Sequence, residues 1–244
     1  MGRLDDEIVI VTGASRGLGK SMTERLSSEG ANVVLTARDE EKLRAVADDL
    51  PTASLVVPAD VRNADTVQEV VDETVDTFGR IDTLVNNAGV SSLSINDQRR
   101  PIGEIPEDEW DFILDVNLKG VFLFTQAVLP HMYDQGAGNV VNVSSGLGRY
   151  ATEGAAAYVS SKWGLEGFTR VVALEGEEYG VNANSLDPGG RVNTDIWGHL
   201  PEEEREEILQ PDVMDEAAVL LAEQRPHGVS GETHTAEEWE DVLG

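Results

Sequence analysis

Short apolar runs alternate with longer amphipathic stretches along most of this chain. Parallel strands can be joined only through a crossover of a dozen or more residues, so this alternation is the pattern of βαβ units around a parallel sheet. Strands are expected at Glu7 to Val11, Asn32 to Thr36, Ser54 to Pro58, Thr83 to Asn86, Asn139 to Ser144 and Asn182 to Leu186. Helices are expected at Gly17 to Glu29, Glu40 to Leu50, Ala64 to Phe78, Glu107 to Met132 and Ala155 to Tyr179. Right-handed crossovers then give an α/β fold, a single-domain Rossmann-type doubly wound parallel sheet flanked by helices. No repeat, low-complexity tract or Pro/Ser-rich linker breaks the pattern, so residues 1–244 are read as one nucleotide-binding domain. After Pro188 the regularity weakens: two acidic helical segments, Glu202 to Leu209 and Asp212 to Glu223, precede a tail that reads as a solvated acidic end.

The first strand runs directly into Thr12-Gly13-Ala14-Ser15-Arg16-Gly17-Leu18-Gly19, and a helix follows. Glycines in that position permit a tight turn and a close approach of backbone to a pyrophosphate, and the helix N-terminus presents unpaired N–H groups to the anion. The spacing is Gly-x-x-x-Gly-x-Gly rather than the commoner Gly-x-Gly-x-x-Gly, and it resembles the short-chain dehydrogenase/reductase family. Further motifs of that family follow in its order: Asp60-Val61 after the third strand, Asn86-Asn87-Ala88-Gly89 after the fourth, and Asn117 within Val116-Asn117-Leu118-Lys119-Gly120. Ser145 after the fifth strand, the Tyr158-to-Lys162 pair and Pro188-Gly189 complete the set.

The resemblance implies an oxidoreductase interconverting a carbonyl and an alcohol by pro-S hydride transfer. The implied cofactor residues are Gly13, Ser15, Arg16, Gly17, Leu18, Gly19, Arg38, Asp60, Val61, Asn87, Ala88, Gly89, Tyr158, Lys162, Pro188, Gly189 and Thr194. Cofactor choice lies at the end of the second strand, where an acid would hold the 2′-hydroxyl of NAD and a cation the 2′-phosphate of NADP. That strand ends Thr36-Ala37-Arg38. Alanine stands where the family's NAD users carry Asp, and Arg16 offers a second guanidinium, so NADP(H) is favoured with NAD(H) as the second choice. Against this, Arg38 could merely pair with Asp39 or Glu41, and Asp39 could serve a ribose.

Hydride transfer leaves charge on oxygen, which calls for a proton donor and a group that steadies it. A free tyrosine titrates near 10. Lys162 stands one helical turn from Tyr158, about 6 Å along the axis, where its charge would favour the phenolate. Taken alone, such a pair is common on helices; its company with the glycine turn and Asn-Asn-Ala-Gly gives it weight. By resemblance, Tyr158 is the general acid/base, Lys162 binds the nicotinamide ribose, Ser145 hydrogen-bonds the substrate carbonyl, and Asn117 holds a proton-relaying water. Ser144 is the neighbouring candidate, but strand alternation turns the two serines in opposite directions. Trp197 and His199 fall in what resembles a substrate lid, residues 190–211, where packing is the plainer role for each. The chain has Pro188-Gly189-Gly190-Arg191-Val192-Asn193-Thr194 where the family usually reads Pro-Gly-x-Val-x-Thr, one residue longer.

Composition bounds the partners. There are 46 Asp and Glu against 18 Lys and Arg, a net charge of −28, with only four lysines. Such a field repels nucleic acid and anionic membrane surfaces. Lysine depletion under acidic excess suggests a salt-adapted origin, in which repulsion is screened within about 3 Å at molar salt. With no cysteine and four histidines lacking ligand spacing, no metal site is expected. No apolar run reaching the roughly 20 residues of a membrane span is evident, so a cytoplasmic protein, unprocessed, is expected. By the same resemblance, the long helices at Glu107 to Met132 and Ala155 to Tyr179 are expected to pair between subunits of a homodimer or homotetramer. Two other functions fit the motifs: a non-catalytic dinucleotide-sensing regulator, and an epimerase or dehydratase of the same family. The substrate pocket falls in Val90 to Pro101 and Arg191 to Gln210, the least regular segments, leaving sugar, steroid, acyl thioester and simple ketone open.

Overall fold

The computed structural model describes residues 2–198 and 200–244; His199 lies outside the described residues. Seven parallel strands form one sheet in the order β3-β2-β1-β4-β5-β6-β7. They are β1 (Ile8–Thr12), β2 (Asn32–Thr36), β3 (Ser54–Val56), β4 (Thr83–Asn86), β5 (Gly138–Val143), β6 (Val181–Asp187) and β7 (Thr233–Thr235). The order reverses between β1 and β4, and in open α/β sheets that switch point opens a crevice at the carboxyl ends of the strands.

Strand alternation builds the core on both faces. Val9 and Val11 of β1, with Val33 and Leu35 of β2, face one cluster, while Ile8, Ile10 and Val34 face the other. Helices α1 (Gly17–Ser28), α2 (Glu40–Ala47), α9 (Asp215–Ala222) and α10 (Ala236–Leu243) supply the first cluster through Met22, Leu26, Leu43, Leu221 and Trp239. Helices α3 (Ala64–Phe78), α6 (Gly120–Gln135) and α7 (Ala156–Gly176) supply the second through Val70, Phe124, Val128 and Val172. Because every central strand is covered on both sides, the strands read as near-continuous apolar runs. The ends of α3 show how local chemistry sets a boundary: the Asn63 side chain accepts from Asp65 N at 2.9 Å, and Gly79 closes the helix at φ +78°.

Several expectations change. The helix expected over Glu107 to Met132 is α5 (Glu107–Leu114), a π turn (Asp115–Lys119) and α6. A π turn inserts one residue into the helical repeat, which a 3.6-residue periodicity does not reveal. The continuous stretch Glu107–Gln135 is also long and apolar enough to cross a membrane by length and composition, contrary to the sequence reading. In this fold Phe124, Val128 and Met132 from that stretch pack into the second cluster. Two short helices, α4 (Ser92–Asn96) and α8 (Glu202–Glu206), stand in the segments that carried little periodicity.

The acidic tail is the largest correction. Rather than ending as a solvated segment, it forms β7, paired in parallel with β6 through Ser185–Thr233, Leu186–His234 and Asp187–Thr235, and then α10. Helix α10 starts with a capping box between Thr235 and Glu238 and buries one face on α9. Trp239 is 0 % exposed, and its indole N–H donates to Ser185 O at 3.0 Å. Its acids occupy the outer face, which is why composition alone made the segment look unpacked. Replacing Trp239→Ala is expected to lower stability by about 3–5 kcal/mol, the cost of emptying a large aromatic site. Urea unfolding followed by far-UV circular dichroism checks this; a loss below about 1 kcal/mol would return the tail to the solvent.

Candidate active site

The carboxyl ends of the strands frame a cleft of about 1120 Å³. Its first wall is the turn between β1 and α1. Gly13 and Gly17 hold φ of +69° and +54°, conformations that suit glycine, and a methyl group at Gly19 would run into the Gly13 carbonyl and the Asn87 carboxamide. Arg16 occupies the N-cap position of α1 without a side-chain cap, which leaves the first N–H groups of a 12-residue helix for an anion. Asn87 fixes the turn from β4: its Nδ2 donates to Thr12 O at 2.9 Å and Gly13 O at 3.3 Å. Thr12 Oγ1 accepts from the backbone N–H of Asn87 at 2.9 Å and of Ala88 at 3.0 Å. Thr12 was not singled out by sequence, since its role is visible only once β1 and β4 are neighbours.

Gly13, Ser15, Arg16, Gly17, Leu18, Gly19, Arg38, Asp60, Val61, Asn87, Ala88, Gly89, Pro188, Gly189 and Thr194 all line this cleft. Thr194 comes within reach of the glycine turn, where a methyl on Gly17 would stand 3.2 Å from its Cγ2. The extra residue after Pro188-Gly189 is accommodated by a clasp: Asn193 N donates to Leu209 O at 2.8 Å and Leu209 N to Arg191 O at 3.0 Å. These features fit a dinucleotide: glycines where backbone must come close, an uncapped helix end for the pyrophosphate, and cations at the far rim.

At that rim, Arg38 makes no ion pair among the described residues, while Asp39 caps α2 and pairs with Lys42 at 3.0 Å. Neither Asp39 nor Glu41 forms an ion pair with Arg38 among the described residues, and Asp39 lines the cleft. Asp60 is gripped by Arg62, with Arg62 Nε to Oδ1 at 2.9 Å, which holds the carboxyl below its ordinary value. Arg16, expected to share a phosphate with Arg38, instead pairs with Asp195 across the cleft. Both of its partners are largely exposed, so the pair contributes little by itself.

Ser145, Tyr158 and Lys162 meet on the cleft floor. Ser145 follows the end of β5 and faces the cleft, its Oγ accepting from Leu147 N at 3.2 Å, and its side chain hydrogen-bonds Tyr158. Ser144 is buried and donates to Glu166 Oε1. The phenol and the ammonium come from the same helix, α7, and both line the cleft. Burial pushes Tyr158 above the usual 10, opposed by the Ser145 hydrogen bond. The Lys162 ammonium donates to Val143 O at 2.7 Å and lies 5.7 Å from the centre of the Tyr158 ring. Burial lowers Lys162 itself from 10.5 to about 8, with Glu166 and Asp187 resisting.

Asn117, fully buried in the π turn, does not line the cleft. Its carboxamide clamps Val90, accepting from Val90 N and donating to Val90 O, both at 2.8 Å, and donating to Ser161 Oγ at 3.1 Å. The side chain is therefore committed to holding the segment that follows Gly89.

A profile of the short chain dehydrogenase family matches residues 7–205. The chain belongs to that family. It is 34% identical over 242 residues to the 3-oxoacyl-acyl-carrier-protein reductase FabG of Thermotoga maritima, covering 94% of this chain and 96% of that one. Among solved structures, a metagenomic short-chain oxidoreductase in complex with NADP shares 32% identity at a TM-score of 0.80, covering 94% and 96% of the two chains. Carveol dehydrogenase from Mycobacterium avium in complex with NAD shares 25% identity at a TM-score of 0.87, over 96% and 97%. As a short-chain dehydrogenase, this protein is an oxidoreductase acting on CH–OH groups.

The charge on the cleft is opposite to that on the molecule. Arg16, Arg38, Lys42 and Arg62 line its cofactor end, Lys162 its floor, and Arg99, Arg149 and Arg191 the remainder, eight of the 18 cations. Only Asp39, Asp60, Asp187, Asp195 and Glu238 line it, five of the 46 carboxylates. Asp187, 2 % exposed, was missed by sequence; it accepts from Arg149 at 2.6 Å and from Gly189 N at 2.9 Å.

Glu166 was missed too. It accepts from Ser144 and Thr233 and helps keep Lys162 charged. Glu166→Gln removes that support, so the Lys162 ammonium loses its proton at a pH further below 8. The alkaline limb of the activity profile should therefore move to lower pH, and a kcat profile that superimposes on the parent's would show that Glu166 does not act through Lys162.

Proposed function

We propose that this short-chain dehydrogenase is an NADP(H)-preferring enzyme interconverting a carbonyl and an alcohol, with Tyr158 as the proton donor and acceptor. The observation that carries the reading is the meeting of a serine hydroxyl, a half-buried phenol and a buried ammonium on the floor of a glycine-walled cleft. NADP(H) is held in this reading by Gly13, Gly17, Gly19 and the N-terminus of α1 at the pyrophosphate, with Arg38 at the 2′-phosphate. Support for the phosphate comes from Ala37 in place of an acid and from a guanidinium that makes no ion pair among the described residues. The NADP-bound relative is in keeping with it, and the NAD-bound one shows that the fold serves both cofactors.

Bound nicotinamide supplies the hydride for the carbonyl carbon. Ser145 donates a hydrogen bond to the carbonyl oxygen and resists its drift as negative charge accumulates. Tyr158 then passes its phenolic proton to that oxygen. A phenol raised by burial is fully protonated at neutral pH, which suits a donor; an alkoxide is far more basic than a phenolate, so the transfer runs downhill. Lys162, held by Val143 O, places its charge beside the phenolate that remains. In the oxidising direction the same phenolate takes the alcohol's proton, which requires the site to be more electropositive than it is in the free protein.

Tyr158→Phe is expected to reduce turnover by at least about a hundredfold while leaving NADPH affinity, read by fluorescence titration, within twofold. Unaltered turnover would dismiss this donor. Arg38→Asp is expected to shift the NADPH-to-NADH ratio of kcat/KM by about tenfold or more toward NADH, the size of a lost charge-assisted contact. A constant ratio would put the determinant elsewhere.

A further inference from the structure

Every carboxylate lining the cleft already has a partner: Asp39 has Lys42, Asp60 has Arg62, Asp187 has Arg149, Asp195 has Arg16, and Glu238 takes the Thr235 N–H. The same does not hold for the cations. Of the arginines that make no ion pair among the described residues, Arg38, Arg99 and Arg191 line the cleft, and Arg38 stands at its cofactor end. Arg99 reaches only the Thr152 hydroxyl, at 3.3 Å, and Arg191 lies over the Trp197 ring at 5.3 Å.

Their placement is not that of the cofactor cations. Arg99 sits against the loop that leads from Ser145 to Tyr158, where a methyl on Gly154 would stand 2.7 Å from its Cβ. Arg191 follows Pro188-Gly189 on the opposite arm. The two arms meet where α4 packs on the 195–197 turn. Leu93, Ile95, Ile196 and Trp197 line the space near them, and both guanidiniums are exposed, so they would meet an anion through charge-assisted hydrogen bonds that salt weakens.

We propose that the substrate is a carbonyl compound bearing its own carboxylate, and that Arg99 and Arg191 bind that carboxylate while the carbonyl faces Ser145 and Tyr158. This specificity rests on the carbonyl–alcohol reading above. It also accounts for a cation-rich mouth on a molecule of net charge −28, whose general field would otherwise turn an anionic substrate away.

The test pairs acetoacetate and levulinate with their methyl esters, using the whole chain and NADPH. The acids are expected to exceed their esters in kcat/KM by about tenfold or more, and Arg99→Ala or Arg191→Ala to remove most of that preference through the KM for the acid. Arg170→Ala, on the outer side of α7 and away from the cleft, controls for loss of charge alone. Esters turned over as well as acids, or a loss that appears in the KM for NADPH instead, would overturn the proposal while leaving carbonyl reduction standing. A second measurement separates the two ideas: thermal stabilisation of the NADP-bound protein by each acid and ester. If nothing is turned over but the acids alone stabilise, and only with both arginines present, carbonyl reduction falls and the carboxylate site stands. Equal stabilisation by acid and ester sinks the site.

Discussion

The Asn87 carboxamide ties the end of β4 to the glycine turn after β1, and the rest of the cleft is arranged around that tie. Its two bonds to Thr12 O and Gly13 O close the gap at which the sheet order reverses. Close approach is possible because Gly19 has no side chain to fill the space between them. With turn and strand locked, the N-terminus of α1 aims across the switch point, and Thr12 satisfies the two N–H groups that begin the next wall. Asn117 repeats the device one layer deeper, where a π turn brings its carboxamide onto both backbone groups of Val90. Two asparagines thus convert loop backbone into fixed cleft wall, leaving little unsatisfied polarity behind.

Electrostatics in this protein work by exclusion. The surface carries the acids, and nearly half of the few cations are gathered on one cleft. Inside it, burial is the stronger influence on the two groups that matter for proton transfer. It raises the phenol and lowers the ammonium, so that in the free protein the pair is biased toward the neutral phenol. The buried acids Glu166 and Asp187 counter the loss of charge on Lys162, each being anchored in turn by hydroxyls or by Arg149. Two carboxylates thus help to keep the ammonium charged beside the tyrosine.

The tail shows how composition can mislead about packing. Its acids lie on the outer face of α10, while Trp239 and Ala236 enter the core and β7 extends the sheet beside β6. A three-residue strand followed by two turns of helix offers no periodicity to distinguish it from solvated chain. The same holds for α4, whose five residues are held by a capping box rather than by an apolar stripe.

What this sequence determined by itself was the frame: six of the seven strands, the main helices, the glycine turn, and the serine, tyrosine and lysine as a set. Apolar alternation, glycine at strained positions and helical spacing are all local properties, and they survive in one dimension. Only the tertiary structure decided which neighbours those groups acquired. Arg16 found Asp195 rather than the rim, Asn117 found Val90, Lys162 found the Val143 carbonyl, and Asp187 and Glu166 came to share its surroundings. The reason is physical: charge pairing and desolvation depend on distance through folded space, and residues far apart along the chain, such as Ser144 and Thr233 on either side of Glu166, carry no mark of it until strands and helices are assembled.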